Sequence, residues 1–433
     1  MLSPVNGACR VKQAPETDTV TLIEGGKNLF DALIQAFDAA QVLIHLETYI
    51  FDFHGAGQSV ADALARAAQR GVVVRVMVDG VGTEPLPAEW AEKFRATGVQ
   101  WCVYSPLGAG LGRLGAAGRR LSLLSPKRWR RLHRKLCVVD EKLAFCGGIN
   151  VLDDWYDPNH GALLAPRFDF AISGAGFFAR EVAEATGLLW WRVQAGYSAR
   201  QNHLSAAWEK FKIAGYGGRT DTRLLRSAAE AIALPAAEIV SSGVRATLVL
   251  RDNLRNRRSI ERAYRKAIGG ACHEVIIANA YFLPGGALRR SLIAAARRGV
   301  RVTLLLQGKY EYLMQYHAVR PVYGVLLAAG VEVYEYEKSF LHAKVAVVDS
   351  HWATVGSSNL DPFSLLLARE ANVVTEDTAF ARQLADCLQQ ALTTQGRRVD
   401  PADYSGRPWS DRWKGWLAYG LMRLGVMLTG SRY

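Results

Sequence analysis

Two short segments of the chain place a histidine two residues before a lysine and an aspartate five residues after that lysine. The six residues are His133, Lys135 and Asp140 in LHRKLCVVDEKLAFCGGIN, and His342, Lys344 and Asp349 in LHAKVAVVDSHWATVGSSN. One imidazole can attack phosphorus and form a covalent phosphohistidine, while a second protonates the leaving alkoxide and deprotonates the incoming alcohol. Two lysines can stabilise the charge on the phosphoryl oxygens without a metal ion. We therefore predict one phosphoryl-transfer site that needs both segments, with no metal and no cofactor.

The aspartate of each motif is predicted to differ in position from the histidine and the lysine. Both segments have the apolar pattern of a strand, in which residues i and i+2 point to the same face, so each histidine projects beside its lysine. We count Asp140 and Asp349 with the catalytic motif. They fall on the opposite face at the strand end, however, where a structural role in the following turn suits them better.

A turn of small residues that ends in asparagine follows each motif, at residues 147–150 and 356–359. Glycine and serine let a backbone approach a phosphate, and an asparagine amide can donate hydrogen bonds to phosphate oxygens. We therefore predict that each turn binds phosphate, with Asn150, Asn359 and Ser357 as substrate-binding residues.

The order of elements is repeated along the chain. Each half reads as strand, helix and strand before its motif, and Gly71 and Gly299 hold matching positions before VVVRVMVDG and VRVTLLLQG. This alternation predicts an α/β fold with a partly parallel sheet in each half. A polar stretch from about residue 196 to 242 has the composition of a connector. We therefore predict one domain over residues 1–220 and a second over residues 221–433.

The composition agrees with two globular domains and indicates an anionic partner. Half of the 433 residues are hydrophobic, and the formal net charge is +13. Charge alone does not choose among nucleic acid, anionic lipid and a phosphorylated substrate. The six cysteines include no C-x-x-C pair, which favours a reduced compartment and no zinc site. No signal-peptide pattern opens the chain, and no apolar run reaches the roughly 18 residues of a spanning helix, which predicts a soluble or peripheral protein.

The paired motifs resemble the HKD motifs of the phospholipase D superfamily, and the resemblance covers nearly the whole chain. Within it, four segments are similar to bacterial cardiolipin synthases, most of all the B type: RDNLRNRRSIERAY, NAYFLPG, GVEVYEYEKSFLHAK and GSSNLDPFSLLLAREANVV. The resemblance implies two phospholipase D-like α/β/α domains related by a pseudo-twofold axis, with the active site at their interface. It also implies an acidic residue that orients each histidine, for which Asp169 and Glu370 are the matching candidates.

The resemblance also implies a reaction. From the residues alone either histidine could be the nucleophile; the resemblance assigns that role to His133, with His342 as general acid and base. It implies transfer of a phosphatidyl group between phospholipids to give cardiolipin, with phosphatidylglycerol as donor and acceptor and phosphatidylethanolamine as a further candidate substrate. The alternatives are a phospholipase D or a phosphatidylserine synthase, with water or serine as acceptor. An HKD nuclease fits the net charge but not the aromatic C-terminus, so we expect no nucleic acid partner.

Two segments predict contact with an anionic phospholipid membrane. Residues 108–132 mix arginines and lysines with leucines and a tryptophan, and residues 409–433 place tryptophans beside a short apolar stretch. The alternatives are a solvated loop for the first segment and a core helix for the second. Together with the resemblance, the two segments predict a peripheral protein on the cytoplasmic face of the bacterial inner membrane.

Several polar residues at strand ends lie outside the motifs. Glu47, Tyr49, Asn279 and Tyr281 end equivalent strands, where ligands usually meet α/β sheets, and could line the cleft. They could equally be packing or turn residues, so we keep them out of the catalytic set. His45 is expected to fill a strand face.

Overall fold

The computed structural model describes residues 18–105, 130–157, 161–201, 203–215, 245–252, 256–309, 313–361, 368–402 and 420. The two segments predicted to contact a membrane lie outside these residues, apart from residues 130–132 and Gly420. The predicted domain boundary near residue 220 also lies outside them and stays a prediction.

The elements follow one another in two similar series. The first series is β1 (Val20–Glu24), α1 (Gly25–Ala39), β2 (Leu43–Thr48), α2 (Ala56–Gln69), β3 (Val73–Asp79), α3 (Ala88–Thr97), β4 (Gln100–Tyr104), β5 (Arg131–Leu132), β6 (Lys135–Val139), β7 (Leu143–Gly147), β8 (Tyr156–Asp157), β9 (Gly161–Ala162), β10 (Phe170–Ala175), α4 (Phe177–Arg200) and α5 (Leu204–Gly215). The second series is β11 (Ala246–Arg251), α6 (Ser259–Gly270), β12 (Glu274–Asn279), α7 (Gly286–Arg297), β13 (Arg301–Gln307), α8 (Leu313–Leu327), β14 (Glu332–Tyr336), β15 (Lys344–Val348), β16 (Trp352–Gly356), β17 (Ala368–Thr375), α9 (Thr378–Gln395) and β18 (Gly396–Arg398).

Each series forms one large mixed sheet, and the two sheets share one strand order except for β18, which is added at the edge of the second. Strands β8 and β9 pair only with each other. The first runs β1-β10-β7-β6-β2-β3-β4, and the second runs β11-β17-β16-β15-β12-β13-β14-β18. Strands β2, β3 and β4 are parallel, as are β12, β13 and β14. The motif strands instead form antiparallel hairpins, β6 with β7 and β15 with β16, because a short turn can join only antiparallel neighbours. The predicted α/β fold and its internal repeat are confirmed.

Helix periodicity and glycine stops explain the local structure. In α1, the residues Leu29, Phe30, Leu33 and Phe37 recur at helical spacing and are buried against the sheet. Helices α2 and α7 are each followed by a glycine, Gly71 or Gly299, with φ of +91°. A left-handed residue just after a helix satisfies its last carbonyls and turns the chain, so both repeats enter their next strand in the same way.

The described residues form four hydrophobic clusters, of which three join the sheets to the helices and to each other. The outer face of each sheet packs against its own helices, α1–α3 in the first repeat and α6–α8 in the second. The inner faces share a central core, in which Leu136 and Val138 of β6 join one cluster with Val345 and Val347 of β15. Helices α4 and α9 contribute to the same core. Because the two motif strands lie in one core, the two motifs are held close together.

Backbone hydrogen bonds join the repeats at the motifs. The N–H of His133 donates to the carbonyl of Arg369 at 3.0 Å, and the N–H of His342 donates to the carbonyl of Phe168 at 2.9 Å. Strand β5, which precedes His133, also pairs with β17 of the second repeat. The backbone of each histidine is therefore hydrogen-bonded to the residue just before the acidic candidate of the other repeat, Glu370 or Asp169. Among the described residues, no helix is long and apolar enough to cross a membrane.

Candidate active site

The two histidines and the two acidic candidates form crossed pairs. Nδ1 of His133 lies 3.0 Å from both carboxylate oxygens of Glu370, and Nδ1 of His342 lies 2.7 Å from Oδ2 of Asp169. Each histidine is therefore paired with a carboxylate from the other repeat. A carboxylate that accepts the Nδ1 proton fixes the tautomer, so Nε2 is the nitrogen left to react. Neither repeat contains a complete pair by itself.

The motif lysines are buried beside the histidines. Lys135 Nζ donates to the carbonyl of His133 at 2.8 Å, and Lys344 Nζ donates in the same way to the carbonyl of His342. Burial lowers the pKa of Lys135 to about 7; Glu370 opposes this shift and Lys344 adds to it. Two buried ammonium groups near each other make a site that is complementary to an anionic phosphate.

The carboxyl groups of the two crossed pairs have pKa values shifted in opposite directions. Burial by itself raises the pKa of Glu370, but His133, Lys135 and Ser357 outweigh it and lower the pKa below its usual value. Burial raises the pKa of Asp169 to about 7, because the positive charge of Lys344 opposes the effect of burial only in part.

Both histidine pKa values are lowered, chiefly by burial. The pKa of His133 is raised in part by Glu370, whereas that of His342 falls well below its usual value because both lysines add to burial. A lowered pKa keeps an imidazole neutral near pH 7, which is the form that acts as a nucleophile or base.

The contacts of Ser357 point to a role in holding Glu370, and its predicted contact with substrate stays a prediction. The side chain is fully buried, and its hydroxyl donates to Oε2 of Glu370 at 2.5 Å while accepting the N–H of Ala371 at 3.0 Å. The serine therefore holds the carboxylate that holds His133. At the matching position in the first repeat stands Gly148, where a Cβ atom would overlap the carboxylate of Asp169.

The two predicted asparagines occupy matching places just after β7 and β16. Oδ1 of Asn150 accepts the N–H of Ile50 at 3.2 Å, which links this turn to the loop after β2. Asn359 is buried next to the bridge between Phe282 and Leu360. Their amide groups as phosphate donors remain a prediction.

The motif aspartates lie at the opposite end of the motif strands from the histidines, where their contacts support a structural role; their place in the catalytic set stays a prediction. The carboxylate of Asp140 accepts three backbone N–H groups at the start of β2, from residues 41–43, at 2.8–2.9 Å. That of Asp349 accepts the N–H groups of residues 272–274 at 2.8 Å. Both aspartates adopt positive φ, 53° and 51°. They close a turn and tie it to the neighbouring strand, as the alternation of the strand had indicated.

Two residues at the ends of β3 and β13 hold the backbone just before each histidine. Oδ2 of Asp79 accepts the N–H of Leu132 at 2.7 Å, and Oε1 of Gln307 accepts the N–H of Leu341 at 3.2 Å. Sequence analysis did not single them out. The sequence does contain a pattern that could have identified them, since each is the last polar residue of a matching strand, in VVVRVMVDG and VRVTLLLQG.

The polar residues at the end of β2 separate into two roles. The ring of Tyr49 lies 4.9 Å from the ring of His133, centroid to centroid, and Lys135 Nζ lies 5.5 Å from the Tyr49 centroid. Glu47 instead faces α4, where Arg134 forms a two-pronged ion pair with it and also donates to the carbonyl of Ala185 at 3.0 Å. Tyr49 therefore lines the cleft, and Glu47 is a packing residue.

Asn279, the last residue of β12, holds the chain that follows β16, because its Oδ1 accepts the N–H of Leu360 at 3.1 Å. His45 is buried on the face of β2 toward α4, edge-on to Trp190. Within the described part of the chain, no group of three or more His, Cys, Asp or Glu side chains is arranged to hold a metal ion.

The repeated sheet and the paired H-x-K motifs define a protein of the phospholipase D type. The family model described as "Cardiolipin synthase, PLD-like domain" matches residues 33–165 and 264–392, so that each match contains one motif. The chain therefore belongs to the cardiolipin synthase family of PLD-like proteins.

The chain is similar to several known proteins over most of its length. Cardiolipin synthase B of Escherichia coli (strain K12) is 34% identical over 426 residues, which cover 96% of this chain and 90% of that protein. Cardiolipin synthase 2 of Bacillus cereus is 28% identical over 386 residues, which cover 89% of this chain and 66% of that protein. The solved phosphatidylserine synthase of Haemophilus influenzae Rd KW20 covers 94% of both chains with a TM-score of 0.62 and 12% identity, a likeness of fold alone.

Proposed function

We propose that this protein is a cardiolipin synthase, a phosphatidyltransferase that uses phosphatidylglycerol as donor and acceptor. The observation that carries the proposal is the meeting of both H-x-K motifs in one buried site, in a chain 34% identical to cardiolipin synthase B along nearly its whole length. Phosphatidylethanolamine is a further candidate substrate, since it carries the same phosphodiester.

In the first step, Nε2 of His133 attacks the phosphorus of phosphatidylglycerol. The bond from phosphorus to the glycerol headgroup breaks, and Nε2 of His342 gives a proton to the leaving glycerol oxygen, which leaves a phosphatidyl-histidine. The pair of His342 and Asp169 holds one extra proton before this step, because the pKa of Asp169 is raised to about 7, and the carboxyl passes that proton to Nδ1 as Nε2 donates. Lys135 and Lys344 stabilise the charge on the phosphoryl oxygens. Glu370 orients His133 and stabilises the positive charge on its ring.

In the second step, His342 takes the proton from a hydroxyl of a second phosphatidylglycerol. The oxygen attacks phosphorus, the bond to His133 breaks, and cardiolipin leaves, so that the net products are cardiolipin and glycerol. Asp169 orients His342 through Nδ1 in both steps. Asn150 and Asn359 are proposed to donate hydrogen bonds to the phosphate.

The proposed site of action is the cytoplasmic face of the bacterial inner membrane, to which the protein binds peripherally. The net charge of +13 supports attraction to an anionic lipid surface. The basic segment over residues 108–132 leads directly into His133, so it is suited to bring lipid to the nucleophile.

The direct test is a product assay with vesicles that contain labelled phosphatidylglycerol, with and without phosphatidylethanolamine. We expect the wild type to form cardiolipin and free glycerol in the presence of a chelator, and a His133→Ala variant to form none. Phosphatidic acid as the sole product would identify a phospholipase D. Phosphatidylserine formed only when serine is added would identify a phosphatidylserine synthase, and cleavage of DNA without lipid turnover would identify a nuclease.

A further inference from the structure

Helix α5 turns its large apolar side chains away from the protein. Ala207 and Ala214 are buried against the molecule, whereas Leu204, Trp208 and Phe211 are 70%, 58% and 56% exposed. Their spacing of four and three residues puts these three side chains in one stripe along the helix. A helix that packs only on its own domain usually has the opposite arrangement, with large apolar residues inside and polar residues outside.

The exposed stripe combines aromatic rings with lysines. The rings of Trp208 and Phe211 stack at 6.0 Å between centroids and 14° between planes, and Lys212 Nζ lies 5.8 Å from the Trp208 centroid. Lys210 donates to the hydroxyl of Ser198 on α4. Aromatic and aliphatic residues next to lysines on one helix are typical of helices that lie in the interface of an anionic bilayer.

The position of α5 connects it to the active site. Tyr197, near the end of α4, donates its hydroxyl to the carbonyl of Val103 at 2.5 Å, which fixes the end of α4, the helix that precedes α5, beside edge strand β4. The last residue of β4, Tyr104, accepts a hydrogen bond at 3.0 Å from Arg369, the neighbour of Glu370. A bilayer bound at α5 would therefore lie beside the sheet edge next to the catalytic cleft.

We propose that the stripe formed by Leu204, Trp208 and Phe211 docks the enzyme on an anionic phospholipid bilayer. This inference rests on the proposed function, because it supplies the contact by which lipid substrate reaches the site. A bilayer fits better than a protein partner because the net charge of +13 complements anionic headgroups, while the three side chains are spaced to enter the acyl boundary together. Lys212 shares its charge with Glu209 on the same helix, at 2.9 Å between Nζ and Oε1, so the apolar stripe supplies the main contact.

The test compares a Trp208→Ser/Phe211→Ser double variant with a Trp155→Ser control. Trp155 is 56% exposed, and it lines a cavity with Glu24 and Gly25 beside β1, at the opposite edge of the first sheet from β4. Binding is measured by co-sedimentation with vesicles of phosphatidylglycerol and phosphatidylcholine, and with vesicles of phosphatidylcholine alone. We expect the double variant to bind the mixed vesicles about tenfold or more weakly, and the control to bind like the wild type.

Turnover of a short-chain, monomeric phosphatidylglycerol separates docking from catalysis, because this substrate needs no bilayer. The double variant should process it at the wild-type rate, which also shows that the variant is folded. Wild-type binding by the double variant, or equal losses in the double variant and in Trp155→Ser, would overturn the inference. If the wild type is a dimer, the double variant is a monomer and both bind vesicles equally, the stripe is a contact between two copies of the chain and the inference is overturned. Vesicle binding without turnover by the wild type would refute the proposed function and leave the docking inference standing.

Discussion

Nδ1 of His133 lies 3.0 Å from both carboxylate oxygens of Glu370, although the two residues are 237 positions apart in sequence. The contact is set by backbone hydrogen bonds between β5 and β17, which carry these residues toward each other from different repeats. The reciprocal pair, His342 with Asp169, is formed in the same way. Each reacting group therefore depends on the packing of both sheets.

Replacing Glu370 with glutamine tests how far His133 relies on this carboxylate. The variant keeps the size of the side chain but removes the ionised acceptor that orients Nδ1 and stabilises positive charge on the ring. We expect kcat to fall about 100-fold with little change in KM.

Steady-state kinetics on phosphatidylglycerol vesicles measure this effect. The matched control is Glu335→Gln, because Glu335 is also buried but pairs with Arg397 in β18, away from the motifs. Equal losses of kcat in the two variants would mean that the effect is one of folding rather than of His133.

The two histidines can be told apart by a substrate that needs no general acid. Nitrophenol leaves without protonation, so phosphohistidine formation from a nitrophenyl ester of phosphatidic acid bypasses His342 and its partner Asp169. We expect Asp169→Asn to show a nearly normal burst of nitrophenol, and Glu370→Gln to show a strongly slowed one. Stopped-flow absorbance measures both bursts. The reverse pattern would make His342 the nucleophile.

The serine behind Glu370 predicts a change in pH dependence. Ser357 contributes to lowering the pKa of Glu370, and His133 needs that carboxylate ionised. In Ser357→Ala the pKa of Glu370 rises, so the acid limb of the kcat/KM profile moves to higher pH while the plateau at higher pH is kept. Ser358→Ala is the control, since that hydroxyl bonds to the carbonyl of Asn359. Superimposable profiles for Ser357→Ala and wild type would refute the role of the serine.

The sequence predicted what depends on local pattern and repetition. The motif strands, the glycines after α2 and α7, and the identity of Glu370 and Asp169 as candidates all follow from residues close together in the chain or from the family resemblance. The crossing of the pairs does not, because it depends on how two sheets pack. For the same reason, neither the contact of the Ser357 hydroxyl with a carboxylate nor the exposure of the aromatic rings on α5 could be predicted from the sequence.

The motif aspartates should matter for stability and not for the chemical step. In Asp349→Ala three N–H groups lose their acceptor and alanine takes a positive φ, so we expect the free energy of unfolding to fall by about 3 kcal/mol with kcat nearly unchanged. Urea unfolding and kinetics on the same preparation measure both, and Asp349→Asn should be intermediate. A variant of full stability with no activity would instead support the predicted catalytic role of Asp349.

The same contacts give the sign of a pH effect. Although burial tends to raise the pKa of Asp349, the three backbone hydrogen bonds lower it below its usual value. Its contribution to stability is therefore fully present above the unfolded pKa of about 3.9 and is lost as the pH falls through the lower, folded pKa. The stability difference between wild type and Asp349→Ala should accordingly shrink in acid.

The buried ion pair beside the first motif has an internal control in the second repeat. Arg134 and Glu47 correspond in register to Ala343 and Ala278, which are also buried. Arg134→Ala leaves Glu47 buried without its partner, so we expect a loss of about 3 kcal/mol in the free energy of unfolding. The double variant Arg134→Ala/Glu47→Ala copies the second repeat and should recover part of that loss.

Double-mutant analysis by urea unfolding measures the coupling between these two residues, and kcat of each folded variant shows whether the pair also positions His133. A double variant that regains stability but not kcat would mean that the ion pair holds the motif strand in place for catalysis. If the double variant regains both stability and kcat, the two alanines of the second repeat can replace the ion pair without loss of function. Strictly additive losses would contradict the expected coupling, because two residues in direct contact should not act independently.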